Sequence, residues 1–162
     1  PRVGPEYSGI ALGSDGEPVC VDASMQMTSA DVKAALMRLM PLIKERLHYL
    51  TDAAEMVRFL FTEPAVPSVE EIVPKKLDAA KTKAILLRAK DFVGAIFGMS
   101  HEEAENLART EAEALGVKLG DFMMPVRMAV TGSRISPPLI GSILILGKER
   151  CLSRIEKTLE KF

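Results

Sequence analysis

From Val32 onward the apolar residues recur at intervals of three and four. Val32, Leu36, Leu39, Ile43, Leu47 and Leu50 trace one stripe along a single helical face. That period admits a packed helix and rules out a strand, whose side chains alternate with a period of two. The same spacing returns near the C-terminus in Leu152, Ile155 and Leu159. Aromatic residues make up only 5% of the 162 residues and Trp is missing, which further disfavours a β-sandwich or an aromatic base-stacking platform. The expected fold class is therefore all-α.

Local signals punctuate this pattern. Ser29 is a candidate cap for a helix beginning near Asp31, and Pro41 should kink that helix or start a new one. Thr51 reads as the cap of a helix over 52–61. Pro64, Pro67 and Pro74 mark residues 62–75 as the internal boundary. A long helix over about 77–97 follows. Ser100-His-Glu-Glu103 then has the form of a capping box, opening a helix that Gly116 should close. A helix over 120–130 should end at Gly132. The next should start at Ser136, with Pro137 in its first position, and stop at Gly147. Residues 1–28 are rich in Gly and Pro and read as a linker or the remnant of a preceding domain, with a short strand near Val19–Val21. The expected organisation is seven or eight helices in two packed subdomains, 29–66 and 75–162, the first of them incomplete.

Charge and cysteine usage narrow the function. The formal net charge is −1, which argues against a protein that coats nucleic acid indiscriminately. The charge is uneven, however. Residues 75–90 hold six bases and one acid, residues 118–162 hold eight bases and four acids, and residues 101–115 hold five acids and one base. Two basic stretches around an acidic one allow a directional nucleic-acid surface. Cys20 and Cys151 have neither metal-ligand spacing nor a disulfide pattern, so a reducing cytoplasm is the expected setting. No apolar run approaches membrane-spanning length.

Catalytic and cofactor motifs fail on inspection. Gly141-Ser-Ile-Leu-Ile-Leu-Gly147-Lys148 has five residues between its glycines and Glu149 where a phosphate-binding loop needs Ser or Thr. His48 and His101 lack partners for metal binding or nucleophilic catalysis. Glu102, Glu103 and Glu105 suit the positive end of a helix dipole better than paired acid/base work.

Three segments carry a more specific signal. They are Met40-Pro-Leu-Ile-Lys-Glu-Arg-Leu-His-Tyr-Leu50, Met124-Pro-Val-Arg-Met-Ala-Val-Thr-Gly132, and Ser136-Pro-Pro-Leu139 continuing through Leu146-Gly-Lys-Glu-Arg150. Together they resemble the anticodon-binding part of bacterial-type glutamyl-tRNA synthetases over about residues 36–162. The resemblance implies a helical anticodon-binding cage that recognises glutamate tRNA for ATP-dependent aminoacylation. It implies ATP and Mg in the full-length enzyme and no cofactor in this segment. The class I signatures His-x-Gly-His and Lys-Met-Ser-Lys-Ser occur nowhere here, so this segment is not expected to activate an amino acid.

By the same resemblance, Arg46 matches an arginine that recognises the third anticodon base. Arg127 matches a base- and backbone-contacting arginine, whose planar donor fork suits splayed bases. Ser136, Pro137 and Leu139 match the segment lining the anticodon pocket. There a helix N-terminus would offer free N–H donors, and Pro137 and Leu139 would offer apolar surface to a base. Lys148, Arg150 and Arg154 are candidates for phosphate contacts. The implied partners are glutamate tRNA and a catalytic domain of the same polypeptide, with no membrane and a monomeric state. Residues alone leave one alternative, a helical protein–protein interaction module using a Met-rich face.

Overall fold

The computed structural model describes residues 9–47 and 50–162, apart from the side chains of Ala23, Leu50 and Thr51. His48 lies outside the described residues. The described chain is all-α apart from one hairpin, and it divides after Pro64 into two compact units.

In the first unit, β1 (Ile10–Leu12) pairs antiparallel with β2 (Pro18–Cys20), placing Ile10 opposite Cys20 and Leu12 opposite Pro18. The sequence indicated a strand near Val19 but not its partner. Residues 9–28 are no bare linker: β2 packs on α1 (Ser29–Ile43), and two bonds tie this segment to the end of α2 (Leu50–Phe61). The Cys20 thiol donates to the Phe61 carbonyl at 3.2 Å, and the Glu63 N–H donates to the Asp22 carboxylate at 3.1 Å. Hydrogen bonds from Ser24 and Glu63 hold the Asp22 carboxyl below its usual range.

Helix α1 spans Ser29–Ile43 and buries Val32, Ala35, Leu39 and Ile43. Its cap is Thr28 rather than Ser29, in a reciprocal capping box with Asp31. Pro41 sits inside the last turn, the α-helix stops two residues later, and a 3-10 turn covers Lys44–Arg46. Leu47 is extended, so it leaves the stripe that its spacing predicted. Helix α2 spans Leu50–Phe61 and packs on α1. Thr51 therefore lies within the first turn instead of capping it.

The second unit opens with a short helix, α3 (Val69–Ile72), inside the proline-rich stretch that the sequence marked only as a boundary. Ser68 and Glu71 form its capping box. Five helices follow: α4 (Ala79–Ala95), α5 (His101–Ala114), α6 (Leu119–Thr131), α7 (Leu139–Leu146) and α8 (Lys148–Leu159). The Ser100–Glu103 capping box opens α5, and Gly132 closes α6 in the left-handed conformation at φ 69°, as the sequence indicated. Gly147 alone separates α7 from α8.

Helix α6 is the hub of this unit, touching α3, α4, α5, α7 and α8. Phe122 of α6 meets Phe92 of α4 edge-to-face, with ring centroids 5.8 Å apart. The same helix buries Pro125, Val126, Met128, Ala129 and Val130. Helix α8 buries Cys151, Arg154, Ile155 and Thr158. Its inward stripe is thus partly polar, and Leu152 and Leu159 are only half-buried.

Candidate nucleic-acid interface

Ser136 does not start a helix. A residue preceding proline is pushed out of the α region by the proline ring. Ser136 precedes Pro137, and Pro137 precedes Pro138, so neither can begin the helical turn. Helix α7 consequently begins at Leu139 with Pro138 as its N-cap, at φ −49° and ψ 125°, and no side chain caps it. The expectation of a Ser136 cap is corrected on this point.

The Ser136 side chain is buried and serves a different purpose. Arg127, half-buried on the hub helix, reaches the loop over 132–138 from beneath. Its Nη1 donates to the Ser136 hydroxyl, to the Pro137 carbonyl at 3.0 Å and to the Ser136 carbonyl at 3.3 Å. The Ser136 hydroxyl donates onward to the Pro137 carbonyl at 3.0 Å. One guanidinium therefore satisfies oxygens of a segment that its two prolines keep out of the helix. Pro137 is buried and Leu139 is 3% exposed, so both form the floor of the loop in the free protein rather than its outer face.

Further bonds fix the loop's leading edge. The Thr131 hydroxyl lies 2.8 Å from the Arg127 carbonyl and 3.1 Å from that of Ser133. The Ser133 hydroxyl accepts from the Ile135 N–H at 3.1 Å and lies 2.8 Å from the Ile135 carbonyl. Arg134 donates through Nη2 to the Glu71 carbonyl of α3 at 2.8 Å.

The other sequence-selected cations separate into distinct environments. Arg46 is exposed on the 3-10 turn Lys44–Arg46 of the first unit. Lys148 is exposed in the first turn of α8, and its side chain crosses Gly94 of α4: a Cβ placed there would lie 3.8 Å from its Cε and Nζ. This brings an ammonium to the carbonyl-rich end of α4, where the helix dipole favours it. Arg150 is half-buried on α8.

Arg154 does not fit a phosphate-contacting role. It is 3% exposed and donates through Nη1 to the Val130 carbonyl at 2.7 Å, in the last turn of α6. It caps a helix C-terminus from inside the core. Nothing in its spacing distinguished it from a surface arginine, because its acceptor lies 24 residues away in sequence.

Two bases of the 75–90 run are also spent on packing. Arg88 pairs with Glu111 of α5 and Lys90 pairs with Glu156 of α8, each at 2.7 Å. His101 lies 3.3 Å from Glu105 within α5. Among the described residues no group of three or more His, Cys, Asp and Glu could hold a metal ion, and no helix is long and apolar enough to cross a membrane.

Comparisons with known proteins bear on the fold and the family. The anticodon binding domain family matches residues 19–159. A glutamate–tRNA ligase from Treponema denticola is 59% identical over 131 residues, covering 80% of this chain and 26% of the relative. One from Treponema pallidum is 50% identical over 129 residues, covering 80% of this chain and 24% of the relative. The chain thus spans about a quarter of the length of these curated relatives. The crystal structure of a glutamate tRNA ligase from Elizabethkingia meningosepticum in complex with its amino acid shares the fold, with a TM-score of 0.58 and 23% identity over 85% of this chain and 30% of that one. The family matches 141 of the residues (19 to 159 inclusive), and the chain therefore belongs to the anticodon binding domain family.

Proposed function

We propose that this chain is the anticodon-reading portion of a glutamate–tRNA ligase and recognises glutamate tRNA through its anticodon loop. The observation that carries the reading is the 59% identity to such a ligase over 131 residues. Arg127 holds the backbone of Ser136 and Pro137 in place, and Pro137 and Leu139 support the loop from below. The start of α7 has no side-chain cap, so the positive end of its dipole is not offset by a side chain on this side of the loop. Arg46 reads the third anticodon base with its own donor fork, and Lys148 and Arg150 attract the backbone phosphates.

Ligation of glutamate belongs to the longer protein such a relative represents, acting as a monomer in the cytoplasm with ATP and Mg. Neither synthetase signature occurs in these 162 residues.

The test is a titration of a glutamate-tRNA transcript and of one with a substituted anticodon, repeated over a salt series. Cognate binding should be tighter than that of the substituted transcript and should weaken steeply as salt rises, because displaced counterions favour dissociation. Equal affinity for both transcripts would overturn the reading.

A further inference from the structure

The tip of the braced loop carries two side chains that the interior of the protein does not use. Ile135 is 78% exposed, and among the described residues no large apolar side chain is more so. Its backbone is nonetheless fixed at both its N–H and its carbonyl through the Ser133 hydroxyl. A β-branched side chain on a fixed backbone has little rotamer freedom left to lose on binding.

Arg134, the preceding residue, is exposed and anchored by one bond, from Nη2 to the Glu71 carbonyl. That acceptor is neutral. The Glu71 carboxylate is occupied elsewhere, accepting from the Ser68 N–H at 2.9 Å in the capping box. Ser68 is also the main reason its carboxyl is held below the usual range, Arg134 contributing least. Among the described residues Arg134 belongs to no ion pair. A guanidinium has five N–H donors. Arg134 therefore keeps its full charge and most of its fork while its position is set.

We infer that Arg134 and Ile135 form a second contact on the RNA, beside the braced loop, with Arg134 on a backbone phosphate and Ile135 against the face of an unstacked base. The inference rests on the anticodon-reading function proposed above. Three features select RNA as the occupant. A lone isoleucine is far too small for a protein interface, which buries about 800 Å² per partner. An exposed arginine that belongs to no ion pair among the described residues lies next to it in sequence. And the loop that carries both is the one stiffened by Arg127. Single-stranded nucleic acid combines these two needs, a charged backbone and flat apolar bases splayed from it.

The experiment measures binding of the glutamate-tRNA transcript and its anticodon-substituted partner to the intact protein carrying this sequence. It compares Ile135→Ala, Arg134→Gln and Arg134→Lys, with Arg109→Ala on the acidic helix α5 as control. Ile135→Ala should weaken cognate binding roughly fivefold with the salt dependence unchanged, since only apolar surface is lost. Arg134→Gln should lower the slope of log affinity against log salt by roughly 0.7 to 0.9, one phosphate's share, and Arg134→Lys should keep that slope. Arg109→Ala should bind as the parent does.

If the parent protein discriminates between the transcripts while Ile135→Ala and Arg134→Gln bind within about twofold of it, the second contact is wrong and the anticodon-reading function stands. A loss of affinity in Arg134→Gln with no change of slope would also overturn the phosphate contact, leaving Arg134 as a loop tether. A parent protein that binds both transcripts alike removes the proposed function and this inference with it.

Discussion

Replacing Arg127 with Met keeps the aliphatic stem and removes the guanidinium from beneath the loop. Its Nη1 serves the Ser136 hydroxyl, the Ser136 carbonyl and the Pro137 carbonyl. The Pro137 carbonyl retains the bond from the Ser136 hydroxyl. The Ser136 carbonyl loses this donor inside a residue only 6% exposed. A charge-assisted bond contributes about 1.5–3 kcal/mol, and an orphaned buried carbonyl costs about 1–3 kcal/mol. The two overlap, so a net loss of about 2–4 kcal/mol is the working figure. A domain of this size has about 5–15 kcal/mol in hand, so the second unit should stay folded. Urea midpoints should fall, and amide exchange over residues 133–140 should quicken more than exchange in α4 or α8. Affinity for the glutamate-tRNA transcript should drop at least tenfold, since the loop no longer presents one geometry. The salt slope should stay the same, because a brace holds no phosphate, whereas a direct phosphate contact would lower it by roughly 0.7 to 0.9. If Arg127→Met leaves both the urea midpoint and loop exchange unchanged, the bonds to Ser136 and Pro137 do not stabilise the loop and the reasoning fails.

Three further outcomes follow from the same coordinates. Arg154→Met should destabilise the second unit by about 2–3 kcal/mol through loss of the buried bond to the Val130 carbonyl, with little effect on the salt slope of RNA binding; a change in slope with an unchanged urea midpoint would restore a phosphate role. Burial pushes the Cys151 thiol from 9.0 to about 12, opposed by nearby Arg154. The folded state therefore keeps a proton that the unfolded chain releases, so this contribution to stability is intact below pH 9.0 and is lost as the pH climbs to about 12. Cys151→Ala should flatten that alkaline decline in urea midpoints taken at successive pH values, and parallel curves for the two proteins would refute the assignment. Gly132→Ala should lower the melting free energy by about 1 kcal/mol, because φ is 69° at this helix end and a Cβ is disfavoured there; an unchanged melting temperature would count against it.

The parts legible in the sequence are those decided within four residues. Ser100 and Glu103 meet across one turn, and Gly132 needs only its own backbone, so composition and spacing sufficed. The Ser68–Glu71 box has the same form but sat among Pro64, Pro67 and Pro74, and the prolines outweighed it. The start of α7 is obscured at Ser136 for a related reason. A serine before a proline looks like a helix start until a second proline is counted, and Pro138 moves that start to Leu139. The roles of Arg127 and Arg154 depend on acceptors nine and twenty-four residues away, positions that no local pattern fixes. The family resemblance points to Arg127 as a base- and backbone-contacting residue. It could not show that three of its acceptors belong to the protein itself.

The hairpin at the start of the first unit sets a practical limit on trimming. The family match begins at residue 19, inside β2. A version cut to the matched range would remove β1 and leave Val19 and Cys20 on an unpaired edge, with open backbone groups that invite pairing between molecules. The packing of residues 19–20 on α1 and the Cys20 and Asp22 bonds to the end of α2 would then hold the new terminus. Shortened versions beginning at residue 19 should oligomerise as their concentration rises, and those keeping residue 9 onward should not.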